Sequence, residues 1–133
     1  MEVNMGNIRE TFFANQLFKP NEVLVFGSNL AGMHGGGAAR IAHLYFGAVM
    51  GNGDGIQGQS YAIPTMQGGV DTIRPYVDKF IAYAKQHPEQ HFLVTRIGCG
   101  IAGFSPDEIA PLFAEAAEVE NISLPDDFWE EIQ

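Results

Sequence analysis

The chain has 133 residues, of which 46% are hydrophobic and 17% charged, a composition typical of a folded domain. Its 7 Lys and Arg residues against 16 Asp and Glu residues give a formal net charge of −9, which opposes binding to the phosphate backbone of polymeric nucleic acids. The single cysteine excludes an internal disulfide framework, and no spacing of Cys and His residues is typical of a metal site. We therefore expect one domain over residues 1–133, with no metal and no cofactor, in which any bound anion is held locally by backbone N–H groups.

The sequence shows neither the pattern of an N-terminal leader nor that of a membrane span. No charged segment followed by an apolar stretch opens the chain, and no run of about 18 apolar residues occurs in it. We expect a cytoplasmic protein that does not bind membranes.

The first half of the chain begins with the pattern of a strand, a glycine-rich loop and a helix. Residues 22–26 form a nearly continuous apolar run, which is typical of a strand covered on both faces. Residues 27–36 are rich in glycine. A helix is predicted after them, because apolar residues recur at helical spacing from Ala38 to Tyr45, and Gly47 suits its C-cap.

The middle of the chain predicts a turn, a second strand and a second helix. The sequence Gly-Asn-Gly-Asp-Gly at residues 51–55 indicates a flexible turn, and residues 59–64 indicate a strand that ends at a proline. Asp71 or Thr72 can cap the helix that follows, whose apolar residues lie on one face.

The last part of the chain repeats the order of strand, glycine-rich loop and helix. Residues 92–97 indicate a third strand that leads into a second glycine-rich loop at residues 98–104. Ser105 and Glu108 then have the spacing of a capping box. A short strand at residues 122–124 and a terminal helix around residues 128–129 end the chain. Strands that alternate with helices predict an α/β fold, a three-layer α/β/α sandwich around a mixed, mostly parallel sheet.

Both glycine-rich loops are predicted to leave the carboxyl end of a strand and to lead toward the start of a helix. Ligands of open α/β sheets lie at these strand ends. Glycine lets a ligand approach the backbone, and a helix start offers unpaired N–H donors that suit phosphate groups. Two such loops facing each other predict a binding site for a diphosphate.

Two other motifs in the sequence favour different functions. Gly98, Gly100 and Gly103 have the spacing of a dinucleotide fingerprint, but too little chain follows for the further strand and helix units that such a domain needs. Cys99 lies between two glycines near a predicted helix start, and a nearby His34 would form a Cys–His pair. A hydrolase that uses Cys99 and His34 is therefore one alternative, and a non-catalytic interaction module with a degenerate pocket is another.

The two loops and their order resemble those of the macro domain, a module that binds ADP-ribose. The matching segments are VFGSN at residues 25–29, GGGAA at residues 35–39, QSYAIPT at residues 59–65 and RIGCGIAGF at residues 96–104. The order and spacing agree with the family over residues 22–117. The resemblance implies a macro-like fold and a small-molecule partner, ADP-ribose or a related nucleotide-sugar diphosphate.

The resemblance also implies roles for individual residues. Asn29 and Phe104 would lie against the distal ribose. If the bound ligand is hydrolysed at a phosphate or ester group, Asn29 and His34 are the catalytic candidates, because they could orient water or stabilise developing charge. The residues implied to hold the diphosphate are Gly35, Gly36, Gly37, Ala38, Gly98, Cys99, Gly100, Ile101, Ala102 and Gly103.

The chain departs from the family pattern in three segments. Asn7 stands where the family usually has an Asp that holds the adenine amino group. Ala38 and Ala39 follow the glycine run where members that hydrolyse ADP-ribosyl bonds often have an Asp, so deacylase-type activity is not expected. Cys99 replaces the usual Thr or Ser, which alters one loop contact.

Overall fold

The sheet of this computed structural model has five strands, and the structure describes residues 19–132. The strands lie in the order β2-β3-β1-β4-β5. Asn7, one of the departures from the family pattern, lies outside the described residues. The strand bounds are β1 (Glu22–Ser28), β2 (Gly55–Gln57), β3 (Ser60–Pro64), β4 (His91–Val94) and β5 (Ile122–Ser123).

Most neighbouring strands run parallel. β1 pairs in parallel with β3 and β4, and β4 pairs in parallel with β5, whereas β2 is antiparallel to β3 at the sheet edge. The prediction of a mixed, mostly parallel sheet is therefore confirmed. As a result, β3, β1 and β4 all end at the same edge of the sheet, where α/β proteins bind ligands.

The helices connect these strands. They are α1 (Gly37–Tyr45), α2 (Val70–Lys85), α3 (Pro106–Ile109), a 3₁₀ helix (Ala110–Glu118) and α4 (Asp126–Ile132). None of them, within residues 19–132, has both the length and the apolar character that crossing a bilayer needs.

Apolar side chains cover both faces of β1. Leu24 and Phe26 pack in a small cluster with Ala42 of α1. Val23 and Val25 belong to a larger cluster built with α2, the 3₁₀ helix and α4. Successive residues of a strand point to opposite faces, so the continuous apolar run at residues 22–26 follows from helices on both sides of the sheet.

Two element bounds differ from the sequence predictions. The third strand was expected to reach residue 97, but β4 ends at Val94 because the N–H of Ile97 donates to the carbonyl of Thr95 at 2.8 Å and turns the chain. The turn expected at residues 51–55 leads directly into β2, which forms a hairpin with β3. The helix predicted after Ser105 begins as expected at Pro106, where Glu108 Oε1 accepts the N–H of Ser105 at 2.9 Å.

Candidate functional site

A pocket of about 410 Å³ lies at the shared carboxyl edge of β3, β1 and β4. Ser28 ends β1, Thr65 follows β3 and Thr95 follows β4, and all three line the pocket. The volume is within the range of roughly 300–1,000 Å³ that is usual for small-molecule sites.

Both glycine-rich loops line this pocket. We call residues 29–38 the first loop and residues 96–104 the second loop. Gly36 and Gly37 of the first loop face the same space as Gly98 and Gly100 of the second loop. The structure therefore brings together two segments that lie about sixty residues apart in the sequence. The predicted site residues that line the pocket are Asn29, Gly36, Gly37, Ala38, Gly98, Gly100, Ile101 and Ala102.

The first loop presents the start of α1 to the pocket. The N-cap residue Gly36 is extended, with φ −156° and ψ 168°, and offers no side chain that could cap the helix. No acidic residue lies in the first turn of α1. The N–H of Arg40 donates to the carbonyl of Gly36, but the N–H groups of the three residues before it have no hydrogen-bond partner within residues 19–132. This helix start therefore has free donors and a positive dipole end.

Backbone hydrogen bonds close the second loop, and the N–H of Cys99 donates to the carbonyl of Arg96 at 3.2 Å. The N–H of Phe104 donates to the carbonyl of Gly98 at 2.8 Å, and the N–H of Gly103 donates to that of Gly100 at 3.0 Å. Gly98 has φ +75°, a conformation that favours glycine. The N–H groups of residues 100–102, by contrast, have no partner in the described part of the chain, and all three residues line the pocket. Both loops thus contain residues that line one pocket and whose N–H groups are unpaired within residues 19–132.

Asn29 shapes the first loop in addition to lining the pocket. Its Nδ2 donates to the carbonyl of Met33 at 3.3 Å, and its Oδ1 accepts the N–H of Met33 at 3.0 Å. These two bonds hold residues 29–33 as a closed turn. One Nδ2 hydrogen and one Oδ1 lone pair are left for a ligand.

Hydroxyl side chains at the strand ends were missed by the sequence analysis. Ser28 Oγ donates to the carbonyl of Gly53 at 2.5 Å, and Thr95 Oγ1 donates to that of Val25 at 2.8 Å. Thr65 Oγ1 donates to the carbonyl of Ser28 at 3.3 Å. Each hydroxyl donates its hydrogen to a backbone carbonyl, so these residues fix the strand ends. They can offer a ligand only their oxygen lone pairs. The sequence pattern could have indicated these residues, because a serine or threonine ends or directly follows each of the three strands.

His34 belongs to the first loop, but it does not line the pocket. Its side chain is buried, and Nε2 lies 2.9 Å from the carbonyl of Val49 and 3.1 Å from that of Asn52, so Nε2 carries the hydrogen and donates it. Its Nδ1 is buried without a hydrogen-bond partner in the described chain. The ring packs edge-on against Phe26 at a centroid distance of 5.2 Å. His34 therefore ties the first loop to residues 49–52.

Cys99 packs against the apolar cluster that contains Val25, on the face of the sheet opposite the cluster that contains Phe26. Because His34 contacts Phe26, the structure does not bring Cys99 and His34 together. Burial raises the pKa of the Cys99 thiol, and the charges of Asp127 and Glu108 add to this, while Arg96 opposes it. These contacts describe a packed thiol and not an activated nucleophile.

Other predicted residues also lie away from the pocket lining. Over the described residues, that lining does not include Gly35, Gly103 or Phe104. Phe104 packs instead against the larger apolar cluster. The open rim carries three exposed apolar side chains, Met33, Met66 and Ile101, of which Ile101 is 95% exposed.

No group of His, Cys, Asp and Glu side chains within residues 19–132 could hold a metal ion. Comparison of the chain with protein-family models, with curated proteins and with solved structures gives no match. The functional interpretation therefore depends on the geometry of the pocket and on the sequence of the two loops.

Proposed function

We propose that the chain is a macro-like domain that binds ADP-ribose or a related nucleotide-sugar diphosphate through the backbone N–H groups of its two loops. The observation that carries this proposal is that both loops line one pocket, each with unpaired N–H groups. A diphosphate needs two adjacent sets of donors, and the chain supplies them from backbone positions while its net charge is −9.

The fold supports the macro-like part of the proposal. Helix α1 covers one face of the sheet, and α2, the 3₁₀ helix and α4 cover the other, which agrees with a three-layer sandwich. The pocket lies where a ligand of such a fold is expected, at the carboxyl ends of parallel strands. Its apolar rim could cover the base or sugar of a nucleotide.

We propose binding as the function and assign no hydrolytic step. Of the two catalytic candidates, Asn29 lines the pocket, whereas the buried His34 donates to two backbone carbonyls. The alternative of a Cys99 and His34 hydrolase is not favoured, because the two side chains pack on opposite faces of the sheet.

Titration calorimetry with ADP-ribose, ADP and ribose phosphate tests the proposal. We expect ADP-ribose and ADP to bind and ribose phosphate to bind more weakly, because it lacks the second phosphate that the second loop would hold. No heat with any of the three at millimolar concentration would contradict the proposal. Hydrolysis of ADP-ribose derivatives, lost on Asn29→Ala, would show that the site is also catalytic.

A further inference from the structure

Arg96 is the one charged residue among the described residues that line the pocket. Its Nη2 lies 2.5 Å from Oδ2 of Asp127, which belongs to α4. The Arg96 side chain is 58% exposed and the Asp127 side chain 33% exposed. A cation at the pocket thus pairs with a carboxylate from a different element, and the resemblance of the loops assigns a role to neither residue.

This ion pair is of a kind that can exchange partners. Ion pairs between exposed side chains contribute little to stability, because both groups are solvated when apart. A guanidinium group donates two parallel N–H bonds equally well to a carboxylate or to a phosphate. A phosphate that enters the pocket therefore competes with Asp127 for the same donors.

We propose that Arg96 selects ligands by charge, and that Asp127 is an internal competitor of the ligand for its guanidinium group. The proposal deepens the proposed function, because it concerns the ligand of the same pocket. The ligand class that it implies carries an exposed phosphate group that reaches Arg96, in addition to the groups held by the backbone donors. Removing the Asp127 carboxylate frees the Arg96 guanidinium group and tightens ligand binding. Removing Arg96 weakens ligand binding, and the Asp127 carboxylate then no longer affects the affinity.

A double-mutant cycle tests this exchange, with pyrophosphate and ADP-ribose as the two probes in titration calorimetry. We expect Asp127→Asn to tighten pyrophosphate binding about threefold, the scale of an exposed ion pair. Arg96→Gln should weaken it about tenfold, the scale of one charge-assisted hydrogen bond. The double variant should bind as Arg96→Gln does, because the competitor has lost its target.

Glu130→Gln is the matched control, since Glu130 is an exposed acidic residue of the same helix and its change removes the same charge. Circular dichroism and thermal unfolding check that each variant is folded. The proposal is overturned if Glu130→Gln tightens binding as much as Asp127→Asn, if the gain from Asp127→Asn persists without Arg96, or if Arg96→Gln binds like the wild type.

The two probes separate this inference from the proposed function. If pyrophosphate responds as expected and ADP-ribose does not bind, the nucleotide assignment fails and the role of Arg96 stands. If ADP-ribose binds, and neither Asp127→Asn nor Arg96→Gln changes the affinity for ADP-ribose or pyrophosphate, the role of Arg96 is overturned and the proposed function stands. If pyrophosphate binds neither to the wild type nor to Asp127→Asn, the role of Arg96 is also overturned.

Discussion

Gly36 and Gly69 are N-cap residues of α1 and α2 with similar backbone surroundings. Neither has a positive φ, neither helix has a side-chain cap, and a Cβ at either position would meet no atom within 4 Å. Of the two, Gly36 lines the pocket. A methyl group at residue 36 therefore adds bulk to the pocket lining without meeting a neighbouring atom, and one at residue 69 is its control.

We expect Gly36→Ala to weaken the binding of ADP-ribose at least about tenfold, because the methyl group keeps a phosphate from the free N–H groups of α1. Gly69→Ala should leave the affinity unchanged. Both should change the free energy of unfolding by no more than about 1 kcal/mol, as alanine is a poorer N-cap than glycine. Calorimetry and urea unfolding measure the two quantities. Equal affinities of Gly36→Ala and Gly69→Ala for ADP-ribose would mean that the ligand does not bind at the start of α1.

Cys99 offers a second test at this scale, because it is the one thiol of the chain. Burial raises its pKa, so its thiolate fraction is small at neutral pH. We expect slow reaction of Cys99 with a disulfide reagent at pH 7, faster reaction as pH rises past the ordinary thiol pKa, and rapid reaction in urea. Cys99→Ala should retain ligand binding. Rapid labelling of the folded protein at pH 7 would revive the hydrolase alternative.

Single residues show where the sequence informed the site and where it did not. Gly37, Gly98 and Gly103 could be identified as loop residues, because each has a positive φ, a conformation that favours glycine. The role of His34 could not, since its hydrogen bonds join it to carbonyl groups 15 and 18 residues away. Arg96 was missed for a related reason, as its partner Asp127 lies 31 residues along the chain.

The segment at residues 49–54 packs directly behind the first loop. A Cβ on Gly53 would lie 1.8 Å from the carbonyl oxygen of Asn29, and one on Gly32 would lie 2.3 Å from the N atom of Asn52. The N–H of Gly51 also donates to the carbonyl of Gly32 at 2.9 Å. The predicted flexible turn is thus a backing layer that fixes the first loop.

We therefore expect Gly53→Ala to destabilise the fold by about 2–4 kcal/mol and to weaken ligand binding, because the added methyl group must push the first loop away. Gly35→Ala is the control, since a Cβ there meets no atom within 4 Å and Gly35 has no positive φ. It should change the unfolding free energy by less than about 1 kcal/mol. Urea unfolding and calorimetry measure both effects. Similar stabilities for the two variants would contradict the close packing of Gly53 against Asn29.

Elements with a strong local pattern were predictable. The apolar run of β1, the helical spacing of α1 and the capping box before α3 each determine local structure, and the observed bounds agree closely. β2 was not predicted, because its three residues form a strand only through pairing with β3. The sequence did not predict the 3₁₀ helix either, since its apolar pattern also fits a continuing α-helix.

The larger core cluster, on the face of α2, contains a group of aromatic rings around Phe80. Tyr61 is in this group, with its ring 5.1 Å from that of Phe80 and 5.4 Å from that of Tyr83. Burial raises the pKa of Tyr61 above the ordinary tyrosine value, and Asp54 and Tyr83 add to the shift. Burial, followed by the charge of Glu89, also raises the pKa of Tyr83.

Because of this core, the free energy of unfolding of the whole molecule should fall at alkaline pH. The folded state keeps the Tyr61 phenol protonated, so its contribution is complete below the unfolded pKa of about 10 and is lost as pH rises toward the folded value. We expect the unfolding free energy to fall above pH 10 by at most about 1.4 kcal/mol per pH unit from this group. Tyr61→Phe should reduce this decrease in unfolding free energy, and the smaller decrease that remains comes from Tyr83. Urea unfolding between pH 8 and 11 measures the unfolding free energy.

The exposed Tyr45 supplies the control for this prediction, because the residue is 73% exposed. Tyr45→Phe should show the same alkaline fall as the wild type. An unchanged fall in Tyr61→Phe would mean that other groups cause the loss of stability.

The uncapped start of α1 has a cost for the molecule as a whole. Serine or aspartate in place of Gly36 would satisfy a helix N–H group and would contribute roughly a few tenths of a kcal/mol to folding. The same side chain would occupy a donor that the pocket leaves free. Optimising this chain for thermostability alone would therefore select against its ligand, and a library screened for heat resistance should enrich capping residues at position 36 among variants that have lost binding.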